Sequence, residues 1–240
     1  TFDNKMYWRK HSDEFILFRE NPSWYQNFHE TNVFGMDMNI IQKTNNGSNV
    51  VGMEIRTDNI ISNVLGTDLE SPIEIDSSNF YYKGANRTTT NLFAEKNIKI
   101  ENLNISTGMM INIDSKYGHE YFPGIDISYK IANNINGFIS YNRSMRTPNY
   151  TELYYTSPTN QGNANLKPES SNNREVGLKW YTQKHNTSFT YYQREGKNMI
   201  DWILLNGDSI WRTQNLSQLT TQGYEFNSRI NFNKVFNTKL

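Results

Sequence analysis

The feature that most constrains this chain is a hydrophobic period of two that returns along almost its whole length. Phe34, Met36, Met38 and Ile40 alternate with Gly35, Asp37 and Asn39, and Val51, Met53 and Ile55 with Gly52, Glu54 and Arg56. Ile105, Met109 and Ile111 stand among Asn104, Ser106, Gly108 and Asn112, and Ile125, Ile127 and Tyr129 alternate with Asp126, Ser128 and Lys130. Val176, Leu178 and Trp180 repeat the pattern, as do Tyr224, Phe226, Ile230 and Phe232. Successive side chains of a strand point to opposite faces, so each stretch builds a strand with one apolar and one polar face. A soluble antiparallel sheet with one wet face has the same period.

The connections separate the two architectures. The pattern predicts strands at 4–19, 33–43, 49–61, 88–95, 98–113, 121–131, 134–145, 171–183, 187–205 and 209–232, with another beginning near 238. Short links fall at 44–48, 96–97, 132–133, 184–186 and near 233–237, and long ones at 20–32, 62–87, 114–120 and 146–170. The link at 206–208 is short or a hairpin tip. Asn46-Gly47 is a strong hairpin signal. Short turns at one rim and long loops at the other describe a transmembrane β-barrel, and several strands exceed the ~9–11 residues that cross a bilayer. The expected fold class is all-β: an antiparallel transmembrane β-barrel segment occupying the whole of 1–240, facing membrane lipid. A soluble β-sandwich is the rival.

Composition agrees with a two-faced wall. Only 36% of residues are hydrophobic, yet 14% are aromatic, too many rings for a disordered tail. No apolar run is long enough for a membrane-spanning helix. Basic and acidic residues balance at 24 each, so no excess charge points to nucleic acid. Without cysteine there is no thiol nucleophile, disulfide or Cys-based metal site. His11, His29, His119 and His185 show no zinc spacing, and Ser140 and Ser144 have no aligned histidine, so no enzyme and no cofactor is expected.

Residues 139–232 carry four ordered motifs: Arg146-Thr147-Pro148 followed by Glu152-Leu153-Tyr154; Gly162-Asn163-Ala164-Asn165-Leu166-Lys167-Pro168-Glu169-Ser170, with Glu175 and Gly177 beyond; Asn198-Met199-Ile200-Asp201-Trp202; and Asn215 followed by Gly223-Tyr224-Glu225. This series resembles the TonB-dependent outer-membrane receptor family. The resemblance implies a ~22-stranded barrel, of which this chain is about half, in a bacterial outer membrane. It implies an N-terminal plug and TonB box, expected to precede this segment, coupling the receptor to the TonB complex. The implied function is active uptake of a scarce small-molecule nutrient such as a ferric siderophore, haem, cobalamin or an oligosaccharide. A surface-binding or adhesion barrel without transport is the alternative.

The motif residues also have a physical reading. Pro148 and Pro168 mark strand ends. Gly177 and Gly223 would leave room on the polar face for packed lumen contents, and Glu175 and Glu225 share that face, within reach of Lys179 or Arg229. Rings in the long loops, Trp24, Tyr25, Tyr81, Tyr82, Tyr150, Tyr154 and Tyr155, together with His29 and His119, are the expected substrate-binding set, since rings offer flat contact area at low entropic cost. Rings near strand ends serve equally as an interfacial girdle. Asp68, Glu70, Glu74 and Asp76 in the 62–87 loop are a weak Ca²⁺ candidate without an EF-hand pattern.

Overall fold

The computed structural model describes residues 1–230 as one twelve-stranded sheet. Its strands are β1 (Phe2–Ile16), β2 (Gln26–Thr44), β3 (Gly47–Ser62), β4 (Thr67–Glu74), β5 (Phe80–Ile100), β6 (Leu103–Asp114), β7 (Gly118–Ala132), β8 (Ile135–Arg146), β9 (Asn160–Gln161), β10 (Glu169–Tyr181), β11 (His185–Leu204) and β12 (Trp211–Ile230). One short helix, α1 (Tyr150–Tyr154), interrupts them. The order is β1-β2-β3-β5-β6-β7-β8-β10-β11-β12, antiparallel throughout, with β4 hydrogen-bonded to β5 and β9 parallel to β12. Phe232, the turn near 233–237 and the strand near 238 lie outside the described residues.

Register explains why the alternation matters. Partners directly opposite in a ladder share a face, and the apolar residues meet row after row. Met38 faces Met53, then Leu92, Ile111 and Tyr121. Ile105 faces Ile127, then Ile139, Val176, Tyr191 and Tyr224. None of Met36, Met38, Ile105, Ile111, Ile127 and Phe226 is buried. Phe226 is 69% and Ile139 58% exposed. A sandwich would have hidden this face; here it is an open apolar belt.

The opposite face is a polar ladder. Asn91 donates to Glu54 at 3.0 Å and Asn112 to Asn91 at 2.6 Å, while Thr89 donates to Asp114 at 3.1 Å. Glycines on this face are covered by their cross-strand neighbours: Tyr7 lies over Gly35, Phe93 over Gly52, Phe138 over Gly177 and Tyr192 over Gly223. The space at Gly177 and Gly223 is therefore filled by a ring of the same sheet, and not by lumen contents. Glu175 and Glu225 make no ion pair with Lys179 or Arg229; the Lys179 ammonium sits 4.7 Å from the centre of the Phe138 ring.

Several expected boundaries move. The turn assigned to 96–97 lies inside β5, and the chain reverses at Glu101-Asn102, where Glu101 adopts a left-handed φ of 47°. Residues 114–120 are not a long loop: β6 and β7 are joined by Ser115-Lys116-Tyr117 alone. Much of the 62–87 loop is hairpin, formed by β4 and the start of β5, and β2 begins at Gln26. The remaining short turns, 45–46, 133–134 and 182–184, share a rim with 101–102. The long links 17–25, 63–79 and 147–168 share the other rim with 115–117 and 205–210.

Candidate functional site

The 147–168 link is turned onto the polar face, and its own sequence holds it there. Asn149 caps α1: its side chain accepts from the Glu152 N–H at 2.8 Å, and Glu152 accepts from the Asn149 N–H at 2.9 Å. This capping box satisfies donors that so short a helix leaves unpaired. The Glu152 carboxylate is also held by Arg146, the last residue of β8, at 3.0 Å. The other edge of that guanidinium grips Glu169, the first residue of β10, at 2.6 and 2.9 Å. One arginine thus closes both ends of the link. Glu169 in turn accepts the Ile200 N–H at 2.7 Å. Asn215 donates to the carbonyls of Lys167 (2.9 Å) and Asn198 (2.7 Å) and accepts the Lys167 N–H at 2.8 Å. The buried Thr213 hydroxyl donates to the Glu152 carbonyl at 2.8 Å. The four motifs therefore converge on one hydrogen-bonded clasp.

From this clasp α1 reaches across the wall. Tyr150 donates to the Asp58 carbonyl on β3 at 3.0 Å, and Arg87 on β5 donates to the Pro148 carbonyl at 2.7 Å. Lys116 donates to the Ala164 carbonyl at 3.1 Å. Tyr150 and Tyr154, one helical turn apart, stack with ring centres 6.4 Å apart. Arg87 lies 5.5 Å from the Tyr150 ring and Lys116 5.5 Å from both the Tyr154 and Tyr117 rings, the distances of cation–π contacts. Asp114, 3% exposed, accepts backbone N–H groups of Lys116 and Tyr117 at 2.8 and 3.1 Å and lies 4.0 Å from the Arg87 Nε. Burial pushes the Tyr117 and Tyr150 hydroxyls each up to about 12. The Tyr117 hydroxyl is enclosed without a hydrogen-bond partner.

The residues expected from sequence divide into three groups. Tyr25, Tyr150, Tyr154 and Tyr155 come together: the Tyr25 and Tyr155 hydroxyls bond directly, joining the 17–25 and 147–168 links. His29 lies in β2, not in a loop, and its Nδ1 bonds the fully buried Ser62 hydroxyl at 2.8 Å. Ser62 already accepts the N–H groups of Val64 and Leu65, so it donates to His29, whose role here is to brace a turn. Trp24 remains exposed at the rim, edge-on to Phe18, and Tyr81 is 8% exposed in the β4–β5 hairpin.

The others point elsewhere. His119 lies in β7, opposite Ile113 on the apolar face and edge-on to Tyr121, so it does not line the polar cleft. Tyr82 shares the face of Thr88 and Leu92, away from the cleft. The acidic four are dispersed: Asp68 pairs with Lys83 at 2.8 Å and Asp76 caps the turn at Ser78 and Asn79. No three His, Asp or Glu side chains group as a metal site among the described residues. Sequence reasoning missed Arg87, Lys116, Asp114 and Thr213. They stand in no motif, and only register and the folded link bring them together.

A family model described as TonB dependent receptor-like, beta-barrel, matches residues 2–239. The vitamin B12 transporter BtuB of Photobacterium profundum is 23% identical over 189 residues, which are 72% of this chain and 31% of that protein. The ferrienterobactin receptor of Escherichia coli is 23% identical over 159 residues, 56% of this chain and 21% of the relative. Among solved structures, the ferric enterobactin receptor PfeA of Pseudomonas aeruginosa superposes with a TM-score of 0.72 at 17% identity, covering 94% of this chain and 38% of that one. The chain therefore spans about a third or less of the length of these curated relatives.

Proposed function

The chain belongs to the TonB dependent receptor-like β-barrel family, and on that premise we propose that it forms wall and rim of an outer-membrane receptor for TonB-dependent nutrient uptake. The apolar belt faces lipid and the polar face lines the lumen. The nutrient is a scarce small molecule: a ferric siderophore, haem, cobalamin or an oligosaccharide. One observation carries the reading. A rim link is folded onto the lumen face by dedicated hydrogen bonds, and it presents Tyr150, Tyr154 and Tyr155 there beside Arg87 and Lys116. A barrel serving only as a surface adhesin would need its rings outward, beyond the rim, and not turned over the lumen.

The test is uptake of labelled ferric siderophore, haem, cobalamin and oligosaccharide by cells with and without the gene, with and without a protonophore. The expected result is gene-dependent accumulation of one of them that stops when the protonmotive force is removed. Surface retention without accumulation would support the adhesion barrel instead.

A further inference from the structure

We propose that Arg87 and Lys116 form an anion-operated latch, so that the cargo of this receptor is anionic; the inference rests on the receptor reading above. The two cations stand on the lumen face, on β5 and in the β6–β7 turn, and they hold the two ends of one segment. Arg87 donates to the Pro148 carbonyl at 2.7 Å and Lys116 to the Ala164 carbonyl at 3.1 Å. Both acceptors are neutral. A charge-assisted hydrogen bond to a carboxylate, phosphate or phenolate oxygen is about twice as strong, so an anion is a better partner for each cation than the carbonyl it now holds.

The surroundings favour an incoming anion. Among the described residues Lys116 has no carboxylate within ion-pair distance. Asp114 is committed to the N–H groups of Lys116 and Tyr117 and to the Thr89 hydroxyl, and it approaches Arg87 only to 4.0 Å. Beside them stands the enclosed Tyr117 hydroxyl without a partner, an unused donor for a further oxygen. A buried polar group without a partner is costly, and an anionic ligand would relieve that cost here. The Tyr150 and Tyr154 rings lie over the same two cations, which suits an anion carried on a flat aromatic body. Binding would exchange Pro148 and Ala164 for ligand oxygens and free segment 148–164 from the wall, while the Arg146 clasp keeps its base in place. An uncharged cargo such as cyanocobalamin offers no such exchange.

The native chain contains no cysteine, so Thr159→Cys in the purified receptor gives a single labelling site on the exposed part of the segment. Three probes are titrated against the labelled protein in detergent: a ferric tris-catecholate, haemin and cyanocobalamin. The latch predicts that an anionic probe binds and shifts the fluorescence. It predicts roughly tenfold weaker binding in Lys116→Gln or Arg87→Gln, with recovery in Lys116→Arg. Anionic binding left unchanged by Lys116→Gln overturns the latch. Binding of cyanocobalamin alone also overturns it while leaving the receptor reading intact. If none of the three binds and cells accumulate none of them, the receptor reading falls and takes the latch with it. Lys116 is exposed, so its variants test the proposal even if Arg87→Gln fails to fold.

Discussion

Replacing Arg146 with alanine should release the 147–168 link while leaving the wall standing. The wild-type guanidinium makes four short hydrogen bonds, two to Glu152 and two to Glu169. Those carboxylates are 14% and 11% exposed and the arginine 44%. Breaking a buried ion pair costs about 3–5 kcal/mol because a charge is stranded. The open side of Arg146 admits solvent screening, which lowers the figure to about 2–3 kcal/mol. At 1.36 kcal/mol per decade, local opening should become roughly 30- to 150-fold more frequent. Hydrogen exchange reads this directly at Gly162 and Asn163, whose N–H groups bond Tyr155 and Glu152, and at Ile200, which bonds Glu169. Amides of Val176 and Leu178 in the middle of β10 serve as the reference. Arg146→Lys should lose about half as much, because one ammonium cannot grip two carboxylates bidentately. Exchange at Gly162 and Asn163 within twofold of wild type would refute the clasp, and equal acceleration at Val176 would refute its local character.

On the belt, Ile127→Arg should cost about 2–4 kcal/mol in urea unfolding from a lipid bilayer, whereas Ser128→Arg on the other face should cost little. Gly177→Ala should destabilise by about 1–3 kcal/mol in the same assay, since its Cβ would fall 2.6 Å from both the Phe138 ring and the Phe189 carbonyl. Thr213→Val keeps the shape but leaves the Glu152 carbonyl without its donor; a loss of about 1–2 kcal/mol, confined to exchange in α1, is expected. Tyr117 and Tyr150 should ionise last in an ultraviolet titration. Their raised values stabilise the fold fully below pH 10, and that contribution is lost as pH rises from 10 through about 12. Tyr117→Phe should remove one late-ionising group from the curve.

Much of the wall was legible because alternation is a local property. Each strand carries its own two-face pattern, so ten strands could be placed from sequence alone. The errors fall where a local signal misleads. Lys96-Asn97 reads as a turn, yet the ladder continues through it, and the reversal falls at Glu101, which is not a residue type that advertises positive φ. β4 was missed because its residues, Asp68, Glu70 and Glu74, read as a solvated acidic loop. The glycine and ring pairs were hidden for a different reason. Gly177 and Phe138 are 39 positions apart, and only the β8–β10 register sets them face to face. His119 was misplaced because parity, not proximity to a loop, decides which face a side chain joins.

The site itself shows why motif and chemistry separated. Arg146, Glu152, Glu169, Asn198 and Asn215 act on backbone groups or on one another, so their identities are dictated by the path of the chain and could be read as a pattern. Ordering a link of this length costs conformational entropy that scales with its residues, and a rigid base of charge-assisted bonds offsets it. Once the base is fixed, the side chains carried above it need only face the lumen. Tyr150, Tyr154 and Tyr155 therefore owe their position to the clasp but their chemistry to nothing within it. Arg87 and Lys116 come from strands and turns whose own sequence has no part in the motifs. The chemistry of capture arises where these two independent parts of the chain meet, and neither part announces it alone.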